Sequence, residues 1–526
     1  MKTTMIILAI VIYLGYMIYL GVRMAKKNKS SDDFYLGGRK LGPFVTAMSA
    51  EASDMSSWLL MGLPGVALLT GLSGNTTGFA EAVWTAIGLA VGTYINWLLV
   101  ARRIRVYSEK TNSTTLPSFF SDRFGDKKGF LTAIAAIVII VFFIPYTASG
   151  FSAIGKLASS LFDIEYHTAM IVGAIVLVAY TVLGGFLAAS TTDLIQSIIM
   201  TFALFVVICF GIENAGGMEN VKATILSGTE VSTFNEYFNI FGTDGKSYGF
   251  LPIVSTLAWG LGYFGMPHIL LRFMAIEDEK KLPLARRVAS IWVTISMGIA
   301  IFIGVLGFVF ASNNGLLGEG FDSERIIIHI ANAIAELDTF AALLAGFILA
   351  GILASIMSTA DSQLLAASSS VSENLVKRFM WKNMGQKTQM WFARGTMIVI
   401  AIVAAVLAWD SDSSVFRIVS FAWAGFGAAF GPIVIFALFW KRTTKWGALA
   451  GIASGGIMVF VWKYLVRPLG GAWDIYELLP AFIVSAIFIV IVSLITKVPE
   501  KEVTDKFDEV RAYCKNKRTN LESKNA

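Results

Sequence analysis

Charge is what this chain has least of. Of its 526 residues, 15% are Asp, Glu, Lys or Arg, whereas soluble domains carry about a quarter. A soluble globular class is excluded on that ground. Cysteine occurs twice, as Cys209 and Cys514, with no spacing that would hold a metal and no disulfide framework. A Gly-rich loop closed by a lysine is missing too, so pumping driven by ATP lacks its phosphate cradle. The apolar runs do not alternate with polar residues, which excludes an outer-membrane barrel. Nor does a positive cluster lead the first run, residues 5–22. Its cations Arg23, Lys26, Lys27 and Lys29 follow it, the reverse of a signal peptide, so it reads as a retained helix with an outside N-terminus. A non-transporting sensor would carry a large cytoplasmic signalling domain. Residues 497–526 are instead a short mixed-charge tail, expected to be solvated in the cytoplasm.

What is abundant is hydrocarbon. The chain is 56% hydrophobic, with a mean hydropathy of +0.69. Apolar runs recur throughout, each long enough to cross a core of roughly 30 Å. Thirteen spans are expected near 5–23, 42–70, 75–101, 129–157, 165–184, 188–212, 249–272, 286–312, 337–370, 391–409, 414–440, 444–465 and 476–496. The transporter domain is thus 1–496, followed by the tail. Segment 323–335 is short and amphipathic and reads as an extracellular surface helix.

The basic residues test this count. Loops after odd-numbered spans hold clusters such as Arg102/Arg103/Arg105/Lys110/Arg123, Arg272/Lys280/Lys281/Arg286/Arg287 and Lys377/Arg378/Lys382/Lys387/Arg394. Loops after even-numbered spans are nearly free of Lys and Arg, with Lys222, Lys246, Arg325, Lys463 and Arg467 the main exceptions. The alternation puts the odd loops and the C-terminus in the cytoplasm. It also explains the net charge of +6 without a nucleic-acid partner.

Two spans are interrupted. Residues 49–65, SAEASDMSSWLLMGLPG, place Glu51, Asp54 and four serines ahead of a Gly-x-Pro-Gly inside the second span. The seventh contains LAWGLGYFGMPHIL at 257–270. Pro removes a backbone donor and Gly weakens a helix, so both should unwind locally. One such kink is ordinary membrane packing. Two, five spans apart and entering from opposite sides, mark the central site of a secondary transporter with inverted repeats, about 42–212 and 249–440. The ninth span adds Ser355, Ser358 and Ser362 at i, i+3, i+7 with Thr359 alongside. Hydroxyls can simply bond their own helix. Facing carbonyls freed by an unwound helix, they make an all-oxygen cage of low charge, suited to Na⁺.

The stretches GGRKLGPFVTAMSAEASDMSSWLLMGLPG (37–65), GGFLAASTTDLIQSIIM (184–200), AWGLGYFGMPHILLRFM (258–274) and ILASIMSTADSQLL (352–365) resemble the sodium:solute symporter family. The resemblance covers nearly the whole chain. It implies an all-α polytopic membrane protein with a LeuT-like five-plus-five inverted repeat and two broken helices. It further implies a sodium site from Ala52, Met55, Ser355, Ser358 and Thr359, with Asp54 needed for sodium-dependent transport. Asp193 is similar to an acidic position beside a second cation site, with partners at Ser358, Asp361 and Ser362. For the solute it points to Trp58, Tyr146, Trp259, Tyr263 and Pro267, aromatic walls that suit a pyrrolidine ring.

The resulting expectation is no enzyme but a sodium-driven importer of a small amino acid, proline first, in a bacterial inner membrane. Its partners are the solute, Na⁺ and membrane lipid, with no obligate protein partner. Another amino acid, a betaine, a small carboxylate, or protons as the coupling ion stay open. Three positions depart from the most similar members: Met266 stands for Gln, Glu51 for Gly and Asp361 for Ser. Glu51 could bind a cation or a proton or neutralise a nearby cation such as Arg39, and the structural role is the expectation. His268 is expected to cap free carbonyls, and Glu81 and Lys156 to snorkel to the interface.

Overall fold

The computed structural model describes residues 2–25, 31–70, 72, 78–229, 231–243 and 246–522. Lys26, Lys27 and Lys29 lie outside them. The first half of the chain holds α1 (Lys2–Ala25), α2 (Pro43–Ala52), α3 (Leu63–Leu68), α4 (Gly78–Leu99), α5 (Ala101–Lys110), α6 (Leu116–Phe124), α7 (Phe130–Phe162), α8 (Tyr166–Gly184) and α9 (Phe186–Asn214). The second holds α10 (Phe250–Leu257), α11 (Pro267–Ala275), α12 (Leu282–Asn313), α13 (Ile326–Ala335), α14 (Thr339–Ser369), α15 (Gln386–Leu407), α16 (Val415–Phe439), α17 (Lys445–Val461), α18 (Leu478–Ile495) and α19 (Lys501–Glu522). The β structure includes a two-residue hairpin, Gly242–Thr243 against Lys246–Ser247, and an isolated bridge, Leu41–Ile276.

Among the described residues, 10 helices are long and apolar enough to cross a membrane. Thirteen spans were expected. The remaining three segments hold shorter apolar helices, Trp58–Leu68, Tyr166–Ala179 and Phe250–Phe264. Two of these owe their shortness to the expected breaks. In the second span α2 ends at Ala52, and a π-helical turn, Trp58–Gly62, precedes α3. In the seventh, a 3-10 turn at Ala258–Phe264 separates α10 from α11. Prolines open both continuing pieces: Pro267 begins α11, and Pro64 lies in the first turn of α3. At Pro267, which follows an extended Met266, the missing N–H costs nothing, whereas Pro64 lies just past the π-helical turn in an unbroken helical run.

Small residues let the pieces pack, since lipid supplies no hydrophobic drive between helices. Gly88 and Gly92 of α4 lie against the backbone of the broken seventh span. A Cβ on Gly92 would come within 2.5 Å of Gly260 Cα. The same two broken spans are laced together further along. Leu41 N donates to Ala275 O at 3.2 Å, and Glu277 N donates to Leu41 O at 2.9 Å.

Three local expectations are corrected. Helix α13 is not a surface helix: Ile326, Ile327, Ile328, Ile330, Ala331 and Ile334 are all buried. Its apolar residues are too many for a single face, and neighbouring helices cover them. The tail is not simply solvated, because Val503, Phe507, Val510 and Cys514 form a buried stripe at i, i+4, i+7, i+11 of α19. That stripe seats α19 against α5, with Lys110–Glu509 and Lys441–Asp508 as flanking ion pairs. Lys156 does not snorkel. Its side chain is 2% exposed and bridges Asp322 and Glu324, each at 2.9 Å. Glu324 also accepts from Val415 N at 3.0 Å and Phe416 N at 3.1 Å, so it caps α16.

Candidate functional site

The break after Ala52 leaves carbonyls unpaired within their own helix. Met55 N still reaches Glu51 O at 2.8 Å, but Ala52 O turns outward to α14. There it accepts from Ser358 Oγ at 2.8 Å and Thr359 Oγ1 at 3.5 Å. The same two hydroxyls lie 3.2 and 3.1 Å from Ser355 O. Four of the five residues expected at the sodium site, Ala52, Ser355, Ser358 and Thr359, therefore converge through oxygen atoms alone. No hydrogen bond joins the Met55 carbonyl to α14 among the described residues. Oxygen donors without a formal charge suit a hard monovalent cation.

Asp54 stands in the turn itself and is fully buried. Its Oδ2 accepts from Tyr263 Oη at 2.7 Å. Its backbone carbonyl accepts from Trp58 Nε1 at 2.9 Å and Tyr146 Oη at 3.2 Å. Its Oδ1 has no partner among the described residues, and no cationic side chain pairs with it there. A carboxylate without a counter-charge at membrane depth is expensive unless something neutralises it.

The aromatic residues divide. Trp58 and Trp259 face one another with ring centroids 6.4 Å apart. Trp259 also packs on Phe416 at 5.1 Å and stacks on Tyr476 at 5.2 Å. Trp423 locks it by donating to Trp259 O at 2.7 Å and sits edge-on to Tyr263. Tyr146 and Tyr263 belong instead to the hydrogen-bonded set around Asp54. Pro267 opens α11 and lies outside that set. Phe416, Trp423 and Tyr476 were not anticipated. They lie on spans eleven and thirteen, where no break or polar residue singled them out from packing aromatics.

The expected second cation set assembles differently. Asp193 Oδ2 accepts from Ser49 Oγ at 2.6 Å and from Arg272 Nη2 at 3.2 Å. Arg272 also donates to Ser49 Oγ at 2.9 Å, Ser362 Oγ at 2.6 Å and His268 O at 3.0 Å. Ser362 Oγ in turn donates to Asp361 Oδ1 at 3.2 Å. Asp193, Ser362 and Asp361 are thus gathered, but a guanidinium links them, and Ser358 belongs to the Ala52 cluster. The alternation of basic loops counts Arg272 with the loop cations. It is 1% exposed, within α11, with the Phe186 ring 4.9 Å away. Its position four residues after His268, still inside an apolar run, was the available signal.

Two more expectations fail here. Glu51 does not neutralise Arg39. It accepts from Trp97 Nε1 at 2.8 Å and from Thr93 Oγ1 at 3.2 Å, while Arg39 donates to Met274 O, Ser113 O and Ser108. α2 carries Glu51 into the interior, opposite α4, away from the loop that holds Arg39. His268 caps no carbonyl: its ring nitrogens have no partner among the described residues, and the ring lies against Phe143.

Comparison with known proteins places this geometry. The family model described as "Sodium:solute symporter family" matches residues 34–455. The chain is 40% identical to the "Sodium/proline symporter" of Salmonella typhimurium, covering 97% of each. It is 42% identical to that of Haemophilus influenzae, over 95% of this chain and 97% of the relative. A high-affinity proline transporter of Bacillus subtilis is 42% identical, over 94% and 98%. Among solved structures, an outward-open Na⁺-coupled sialic acid symporter superposes with a TM-score of 0.74 at 18% identity, covering 94% of this chain and 99% of that one. That likeness carries the fold.

Proposed function

We propose a transport function from one premise: the chain belongs to the sodium:solute symporter family. It is a multi-pass membrane transporter and not an enzyme, and it couples solute uptake to Na⁺. The solute is proline, as the names of relatives at 40–42% identity over almost their full length indicate. The observation that carries the mechanism is the convergence on one helix break. Ser358 and Thr359 meet the carbonyl released at Ala52, while two residues later Asp54 meets Tyr263 of the other broken span.

In this reading Na⁺ is cargo. It enters among Ala52, Met55, Ser355, Ser358 and Thr359 and draws the hydroxyls off the carbonyls they now serve. Because Ala52 and Ser355 sit on different spans, a cation between them clamps α2 to α14. Asp54 lies next to that clamp and reports it to Tyr263, and so to the seventh span. The solute ring would lie against Trp58 and Trp259, with Tyr146, Tyr263 and the backbone before Pro267 available to its polar groups. Each charge moved inward through 100 mV supplies about 2.3 kcal/mol.

Residues 42–212 and 249–440 are read as the two inverted repeats, with the basic loops and C-terminus in the cytoplasm of a bacterial cell and the N-terminus outside. Uptake of labelled proline into vesicles tests the whole. It should require inward-directed Na⁺ and be suppressed by excess unlabelled proline more than by a betaine or a small carboxylate. Undiminished uptake with choline in place of Na⁺ at fixed pH would sink sodium coupling. Met266 is buried at the start of α11, so the competition panel bears directly on the lost amide.

A further inference from the structure

A cavity of about 290 Å³ opens on the face that carries the basic loops, between the start of α6 and the π-helical continuation of α14, Ser370–Met380. π-helical turns recur at functional sites. Thr114, Ser118, Asn374, Arg378 and Lys382 line it, together with the pair Glu373–Lys377. That pair is closed on itself: Lys377 Nζ is 3.1 Å from both Glu373 oxygens, and Gln389 also donates to Glu373. Arg378 donates to a backbone carbonyl, Asp126 O, at 3.2 Å. Neither it nor Lys382 forms an ion pair among the described residues. The lining carries three cations, Lys377, Arg378 and Lys382, against one carboxylate, Glu373, while Asp122 lies within Coulombic reach of Arg378.

Asn374 sharpens this. It is 2% exposed, and its Oδ1 accepts from Thr115 Oγ1 at 3.0 Å. Its Nδ2 is buried without a partner, and a buried amide donor is rarely left so. Thr115 is also the cap of α6, so a helix N-terminus adds its positive end to the same place. A free amide donor, a guanidinium, an ammonium and a helix N-terminus together select a phosphate-type anion.

The rim says which one. Phe379, Met380 and Trp381 follow Arg378 directly and are exposed, Met380 by 81%, and Trp391 near the start of α15 is 69% exposed. Tryptophans with apolar neighbours at the end of a membrane span mark the headgroup level. The volume lies just below that of whole-ligand pockets, so it fits a headgroup whose acyl chains run outside along that rim. We propose that this pocket binds the phosphate of an anionic phospholipid, with Arg378, Lys382 and the Asn374 amide as donors. Basic pockets between spans hold such headgroups elsewhere. The cytoplasmic placement rests on the orientation proposed above, but the binding itself does not.

The test is lipid retention by the purified full chain, read by native mass spectrometry and independent of transport. Wild type should keep phosphatidylglycerol in preference to phosphatidylcholine. Arg378→Gln and Lys382→Gln should each weaken retention about fivefold, while Lys387→Gln, on the exposed surface of α15, should not. Asn374→Asp keeps the oxygen that Thr115 bonds and replaces the free amide with a carboxylate oxygen. It should lose phosphatidylglycerol. Equal retention by wild type and the Arg378/Lys382 double variant overturns the proposal. So does displacement of the lipid by millimolar inorganic phosphate, which would assign the pocket to a soluble phosphate. Loss of uptake with normal retention would instead fault the transport reading.

Discussion

Tyr263 Oη donates to Asp54 Oδ2 across 2.7 Å, and this bond runs from the break in the second span to the break in the seventh. It is the one side-chain hydrogen bond among the described residues that joins the two interruptions directly. Hydrogen bonds to ionised groups contribute about 1.5–3 kcal/mol. Tyr263→Phe should therefore raise the sodium concentration for half-maximal uptake by at least about tenfold, the factor for 1.4 kcal/mol. Trp423 still packs the ring, so the variant should reach the membrane in normal amount. An unchanged sodium requirement would remove the bond from the coupling path. Asp54→Asn is the companion variant and should abolish sodium-dependent uptake while leaving the protein in the membrane.

Ser358 and Thr359 share one acceptor, Ala52 O, and one helix neighbour, Ser355 O. Removing a single neutral hydroxyl costs about 1 kcal/mol of interaction, close to a fivefold effect. Ser358→Ala and Thr359→Ala should each raise half-saturating sodium by about that factor. Serine at 359 keeps the oxygen and should restore most of it. Wild-type sodium curves in both alanine variants would take α14 out of the ion site.

Arg272 bonds Asp193, Ser49, Ser362 and the His268 carbonyl, and through Ser362 it reaches Asp361. A cation already serves the place where a second ion was expected. Sodium activation of uptake should then be hyperbolic, with one ion per solute, and should stay so in Asp361→Ser. A Hill coefficient near two (on the scale where independent sites give one) would contradict this. Arg272→Gln strands two carboxylates in the interior. Breaking a buried pair on one side costs about 3–5 kcal/mol, so that variant should be poorly folded. Asp361→Ser added to it should recover part of the loss.

What the sequence made legible follows from how each signal is written. Helix breaks are local: the polar run at 51–57 interrupts the second span and the Gly and Pro at 260–267 the seventh, so both could be read directly, although Gly62, Pro64 and Gly65 lie in the helix that resumes. The hydroxyls of α14 were legible because a 3.6-residue period puts them on one face. The partners of charged residues were not, because pairing is tertiary. Glu51 found Trp97 and Thr93 on α4, and Lys156 found Asp322 and Glu324 across a sequence distance no local rule spans. Arg272 looked like a loop cation only because the end of its helix was placed too early.

Lys156 offers a further check. Its ammonium is 2% exposed between Asp322 and Glu324, and Glu324 also caps α16. Lys156→Met leaves Glu324 buried with its backbone donors but no counter-charge. Thermal stability should fall by an amount comparable to a broken buried pair, about 3–5 kcal/mol. Glu324→Gln in the same chain should restore part of it. Equal stability of Lys156→Met and wild type would show the pair to be solvated.

Glu51 separates two roles that its position alone leaves together. It lies three residues before Asp54 and beside the carbonyl of Ala52, where an added carboxylate could bind cargo. Trp97 and Thr93 both donate to it from α4, which suits a strut between α2 and α4. The two variants differ where it matters. Glu51→Gln keeps an oxygen for Trp97 Nε1 but abolishes the acid, whereas Glu51→Gly also removes the acceptor and leaves a buried indole N–H unpaired, at about 1–3 kcal/mol. As a strut, Glu51→Gln should show wild-type sodium dependence and stability, and Glu51→Gly a lowered melting temperature. As an ion ligand, both variants would raise half-saturating sodium alike. Sodium titration of uptake, paired with melting of the purified variants, distinguishes the two. The donors already in place on Glu51 favour the first outcome.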